Sequence, residues 1–214
     1  MSNRNGPVAR EGWFFILPPG IIAIAIALAG PVWAAGFFFL ATLFIAWFFR
    51  NPERKIPEDK KVIVSPADGK VLKIDVVKEN AILKGEYKKI SIFMSVFNVH
   101  VNRIPYSGRV EAVQYKKGRF FSADLDKASS FNERNSILVK TDDGREILTV
   151  QIAGIIARRI VCWIKEGVKI NKGERFGLIC FGSRLEVFLP VDSTVLVKVG
   201  DRVKGGETPI GYLI

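Results

Sequence analysis

Phe181-Gly182-Ser183-Arg184-Leu185-Glu186-Val187-Phe188-Leu189-Pro190 carries a Gly-Ser pair between two apolar, strand-like runs, 177–181 and 185–189. Taken alone, such a pair is a tight turn in a β-structure. Outward from it the same pattern recurs. Short apolar runs at 62–64, 71–77, 89–93, 109–115, 136–139, 147–153, 160–164 and 194–199 are separated by Gly, Pro, Asn and Asp at the spacing of an all-β domain. Helical periodicity is weak throughout; 97–103 suits a short turn or strand, and 123–130 a single helical turn.

Two further stretches, Ser65-Pro66-Ala67-Asp68-Gly69-Lys70-Val71 and Val199-Gly200-Asp201-Arg202-Val203-Lys204-Gly205-Gly206-Glu207, look like barrel-sandwich turns. Upstream the character changes. Residues 51–61 are charged, carry Pro52 and Pro57, and read as a linker. Residues 13–49 contain no charged side chain. That run is too long for one membrane span, which takes about 20 residues, and suits two. Gly30-Pro31 is a natural turn between arms of 13–29 and 32–49, with Pro18-Pro19-Gly20 disturbing the first. A two-pass hairpin, a shallow re-entrant anchor and a buried hairpin of a soluble core all fit; the first suits the length best. Arg4 and Arg10 before the run, and Arg50, Arg54 and Lys55 after it, put both ends on the cytoplasmic face of the cell membrane. The expected fold is mainly β: an anchoring helical hairpin (1–50), the linker (51–61) and a β-rich, barrel-sandwich-like catalytic domain (62–214).

The 214 residues carry a formal net charge of +11. That excess suits an anionic partner. No basic recognition helix or Cys/His zinc spacing is present, so nucleic acid is not expected, and an anionic membrane is the better partner. Cys162 and Cys180 make neither a disulfide framework nor a metal site. A single histidine, His100, excludes any mechanism that needs two.

The Gly182-Ser183 pair gains meaning from its company. Ser65-Pro66-Ala67-Asp68-Gly69, Phe93-Met94-Ser95-Val96-Phe97-Asn98-Val99-His100-Val101-Asn102-Arg103, Asn132-Glu133-Arg134-Asn135, Ala157-Arg158-Arg159-Ile160-Val161, Arg175-Phe176-Gly177 and Phe181-Gly182-Ser183-Arg184 occur in this order. In order and spacing the chain resembles the phosphatidylserine decarboxylase family in its short prokaryotic form, from about Arg50 to the C-terminus. The resemblance implies cleavage between Gly182 and Ser183 and a pyruvoyl group made from Ser183, with no metal and no pyridoxal phosphate. The products would be a large chain (1–182) and a small chain (183–214) that stay together. The substrate would be phosphatidylserine, decarboxylated through a Schiff base to phosphatidylethanolamine.

Those residue types suit that chemistry. Glycine does not obstruct attack on its carbonyl and tolerates strained backbone. A serine hydroxyl needs a base to become a nucleophile. Histidine is the side chain whose unperturbed charge change falls near neutral pH, which makes His100 the natural proton carrier. Asp68 could orient His100, activate Ser183, or simply make an Asp-Gly turn. Longer family members carry a second histidine where Arg103 stands, and an aspartate where Asn98 stands. One histidine here would therefore serve both cleavage and turnover, or Asp68 would act as the base. Arg103, Arg158, Arg159 and Arg184 are candidates for the substrate phosphate and carboxylate, and solvated strand-edge charge suits any single one equally. Two other readings stay open: a pyruvoyl enzyme for another amino-acid head group, and a non-catalytic lipid-binding or carrier module. Whether the chain forms a homo-oligomer is also open.

Overall fold

The computed structural model describes residues 6–78, 82–125, 127–155, 159–180 and 182–214. It divides into two compact units, Met1–Glu53 and Arg54–Ile214.

In the first unit, α1 (Trp13–Ala29) and α2 (Val32–Phe48) form the expected hairpin. Gly30 donates its N–H to Ile26 O at 2.7 Å and ends α1 in extended backbone. Pro31 then starts α2, where a missing N–H costs nothing. The helix runs on through Pro18 and Pro19 rather than breaking there. The helices touch at Gly20, where a Cβ would lie 3.6 Å from Thr42 Cγ2. The base is closed by Ala9 N–H to Phe49 O (2.9 Å) and Asn51 N–H to Pro7 O (2.7 Å). Both helices are apolar all round: Phe14, Leu28, Val32 and Trp33 are each about four-fifths exposed. Such a surface is stable in hydrocarbon and not in water. With the preceding 3₁₀ turn, Arg10–Ala29 is long and apolar enough to cross a membrane.

The second unit is mainly β. Among the described residues its strands are β1 (Val62–Val64), β2 (Gly69–Lys78), β3 (Glu86–Met94), β4 (Val101–Arg103), β5 (Gly108–Lys116), β6 (Arg134–Lys140), β7 (Glu146–Ala153), β8 (Ile160–Cys162), β9 (Lys169–Ile170), β10 (Arg175–Ile179), β11 (Ser183–Pro190), β12 (Thr194–Val195), β13 (Arg202–Val203) and β14 (Pro209–Tyr212), with one helical turn, α3 (Ala128–Phe131), before β6. Eight strands form an antiparallel sheet in the order β13-β2-β3-β11-β7-β6-β5-β9. Register shifts between Val71 and Lys73 and between Val110 and Ala112 bend it. The sheet curls into a half-barrel. Two smaller sheets, β4-β10-β8 and β1-β14-β12, complete the unit.

β11 lies at the centre, paired with β3 and β7. Leu185, Val187 and Leu189 enter the larger core with Ile90, Ile92, Ile137 and Ile147. Phe188 enters a second cluster with Leu138, Leu148, Val150 and Ile152. Both faces of β11 are therefore buried, and Arg184 and Glu186 are buried with them.

Candidate active site

The chain leaves β10 in one sheet and enters β11 in another across Cys180–Ser183. Gly182 makes this corner with φ +65°, a left-handed conformation that favours glycine. Its carbonyl lies against the backbone of Gly154: a Cβ on Gly154 would come within 2.3 Å of Gly182 O. The missing Cβ of Gly154 thus lets its backbone approach this carbonyl, while Gly182 is needed for its positive φ.

Ser183 is the first residue of β11, lies between Met94 and Ala153, and is fully buried. Its hydroxyl donates to Met94 Sδ at 3.4 Å, a weak acceptor. Behind Met94 runs a buried amide chain. Asn102 Nδ2 donates to Met94 Sδ (3.6 Å), Gln151 Nε2 to Asn102 Oδ1 (2.8 Å) and Asn135 Nδ2 to Gln151 Oε1 (3.0 Å). Asn135, Gln151 and Asn102 are each at most 2 % exposed, so their amide groups rely on one another. Asn132 secures the neighbouring loop. Its Nδ2 donates to Ala153 O and Phe121 O, both at 2.7 Å, and its Oδ1 accepts the Phe121 N–H at 2.9 Å.

His100 is buried at the same end of the sheet. The turn that carries it leaves β3 at Met94, the partner of Ser183, and the His100 carbonyl accepts the N–H of Ile179, three residues ahead of Gly182. Its Nδ1 lies 2.9 Å from Asn98 O. A carbonyl only accepts, so Nδ1 carries the proton in the neutral ring and Nε2 is the proton-accepting nitrogen. Asn98 also holds the turn, its Oδ1 accepting from Ser95 N (2.9 Å) and Ser95 Oγ (2.8 Å).

The remaining sequence candidates lie elsewhere. The Asp68 carboxylate accepts from Arg54 Nη2 (2.8 and 3.1 Å) and from Gly205 N (2.8 Å). Its contacts are with the start of the β unit and the turn before β14, and neither His100 nor Ser183 is among them. Arg54 also reaches Glu207 at 3.5 Å. Residues 54–61, read from sequence as linker, thus belong to the β unit. Arg103 is buried with Nη1 on Gly173 O at 2.8 Å. Arg184 is buried on the face of the sheet opposite the Ser183 side chain, with Nη1 on Ser129 Oγ at 2.8 Å and 3.7 Å from Glu186. Arg159 is exposed, and its carbonyl accepts the Cys180 N–H at 3.1 Å. Arg158 lies outside the described residues. Asp124, in the loop that Asn132 secures, takes a short hydrogen bond from Ser122 that holds its carboxyl below the usual range.

Met94, Asn102, Asn132, Asn135, Gln151 and Gly154 escaped the sequence reading as site residues. Met94, Asn102, Asn132 and Asn135 all stand inside stretches quoted above, and Gln151 interrupts an apolar strand run. A polar side chain in such a run was the available signal.

A family model described as phosphatidylserine decarboxylase matches residues 41–211. The chain is similar to proteins named phosphatidylserine decarboxylase proenzyme in three bacteria. The one from Syntrophus aciditrophicus is 57% identical over 95% of this chain and 96% of the relative. Those from Desulfotalea psychrophila and Geobacter metallireducens are 46% and 47% identical over 100% of both chains.

Proposed function

Since the chain belongs to the phosphatidylserine decarboxylase family, we propose that it converts phosphatidylserine to phosphatidylethanolamine and carbon dioxide with a pyruvoyl group made from its own Ser183. The observation that carries the reading is the Gly182–Ser183 junction, where a left-handed glycine carbonyl sits pressed on Gly154, directly ahead of a fully buried serine.

His100 Nε2 accepts the Ser183 hydroxyl proton, and Oγ attacks the Gly182 carbonyl carbon. The peptide becomes an ester. Elimination of the Gly182 carboxylate and loss of ammonia on hydration leave residues 1–182 and a capped 183–214. The cap has no more heavy atoms than the serine it replaces, so it fits the space between Met94 and Ala153. The two pieces stay joined because β11 is hydrogen-bonded on both sides to β3 and β7, and β14 to β1, across the cut. The pyruvoyl group, once formed at position 183, would supply an electron-withdrawing carbonyl for the substrate amine and a sink for the electrons released with carbon dioxide. Around it, burial excludes water, and His100 returns a proton to the product carbon. Of the described candidates Arg103, Arg159 and Arg184, the exposed Arg159, close to the β10–β11 corner, is the one open to the substrate's anionic groups. Asp68 serves as a clamp between Arg54 and Gly205. The apolar hairpin anchors the chain, with its basic flanks on the cytoplasmic face.

The test is a denaturing gel and the intact mass of the pieces. The parent gives two, the smaller starting at position 183, without a free amine and reactive toward carbonyl-trapping reagents. Ser183→Ala gives one chain and releases no carbon dioxide from phosphatidylserine. A parent that stays a single polypeptide and takes up no such reagent overturns the reading.

A further inference from the structure

β3 ends, β7 ends, β6 begins and β11 begins at one end of the sheet, because Ser183 pairs with Met94 and Ala153, and Arg134 pairs with Ile152. The loops that leave this end carry apolar side chains facing water. Phe97 is 66% exposed, Phe131 58%, Ile155 58% and Leu125 44%. Among the described residues of the β unit, Phe97 and Phe131 are the phenylalanines exposed to this degree, and both lie here.

The loops also carry cations. Lys127 Nζ stands 4.4 Å from the centre of the Phe121 ring, which meets Phe131 edge-on at 6.3 Å. Arg119 is exposed and its backbone N–H is bonded to Phe131 O at 2.8 Å. Among the described residues of these loops, Asp124 is an exposed acid. Phenylalanine and leucine tips interleaved with lysine and arginine match the boundary between acyl chains and anionic head groups.

We propose that these loops are a second membrane contact of the protein: Phe97, Leu125, Phe131 and Ile155 enter the interface of an anionic bilayer, with Arg119 and Lys127 at its head groups. The contact brings the end of the sheet that holds Ser183 to the lipid surface, so a phospholipid head group reaches it without leaving the bilayer. The choice of a bilayer as occupant rests on the phospholipid reading above.

The test uses the full, uncleaved Ser183→Ala chain in vesicles of phosphatidylcholine with phosphatidylglycerol, so it does not depend on catalysis. Cys162→Ala and Cys180→Ala provide the background, and nitroxide labels are placed at Phe97→Cys, Phe131→Cys and, at the far end of β11, Val191→Cys. Labels at 97 and 131 are expected to collide with dissolved oxygen more than with a water-soluble nickel chelate, and the label at 191 to do the reverse. Labels at 97 and 131 that are as accessible to the chelate as the label at 191 overturn the proposal. So does dipolar broadening between labels of two copies, which would make the surface a protein interface. In the cleaved enzyme with its native cysteines, Phe97→Ser with Phe131→Ser raises KM for vesicle-embedded substrate about tenfold or more and leaves turnover of a short-chain soluble substrate unchanged. Equal loss on both substrates also overturns it. A chain that never self-cleaves would sink the catalytic reading while leaving the label depths readable.

Discussion

Gly154→Ala tests the junction at its tightest point. The added methyl would lie 2.3 Å from Gly182 O and 3.2 Å from Ala123 Cβ, whereas ordinary contact begins near 3.4 Å, so the Gly182 carbonyl must move by about 1 Å. Both neighbours are held: the carbonyl by the corner into β11, and Ala123 by the loop that Asn132 ties to Ala153. A misplacement of about 1 Å in a reacting group lowers rates about 100-fold, and overpacking destabilises by about 1–3 kcal/mol. The variant should therefore fold, melt somewhat lower, and self-cleave about 100-fold more slowly. The rate is read as the fraction of intact chain against time on a denaturing gel. Stability is read by urea unfolding in a Ser183→Ala background, where cleavage does not intervene. If Gly154→Ala cleaves within about threefold of the parent rate, close backbone approach is not what positions the scissile carbonyl, and the reasoning fails.

Gln151→Leu removes the middle of the buried amide chain and strands the Asn102 and Asn135 amides. We expect a loss of about 1–3 kcal/mol in urea unfolding and slower self-cleavage, with Asn135→Leu/Gln151→Leu less destabilised than the sum of its single variants. Asp68→Asn should lower stability by about 2–4 kcal/mol. Arg54→Met should reproduce most of that loss, and a double-mutant cycle should show strong coupling; independent effects would mean the ion pair is not what Asp68 does. Tyr87 donates to Glu146 at 3.2 Å, and burial, reinforced by that carboxylate, raises its phenol above the usual 10.0. The folded state thus holds the proton more tightly than the unfolded one. The resulting stabilisation is fully present below pH 10 and is lost as pH rises through the folded value. Phenolate absorbance of the parent minus that of Tyr87→Phe should show a midpoint above 10, and a midpoint at or below 10 would refute it.

Much of the architecture was readable along the chain. A charge-free run interrupted by Gly30-Pro31 became two helices because Pro31 starts a helix well and the surrounding residues offer no other solution in hydrocarbon. Pro18 and Pro19, expected to disturb α1, lie within it without ending it. The strand runs were legible where apolar residues cluster, though the 194–199 run yields only the two-residue β12; β9, β13 and β14 were not, since their existence depends on a partner rather than on their own composition. Ser183, Gly182 and His100 were singled out through the resemblance, and composition alone would have left Gly182-Ser183 a turn.

The amino-acid order by itself determined which segments are apolar, where glycine permits a corner, and which side chains have the chemistry that the proposed cleavage and decarboxylation need. The tertiary structure decided who meets whom. Gly154 meets Gly182, Asn102 meets Gln151, and Asp68 meets Arg54 and Gly205 because strand register and sheet curl bring distant residues together. A side chain's own neighbours in sequence carry its intrinsic preferences, but its hydrogen-bond partners depend on which strands lie alongside, and no local pattern encodes that.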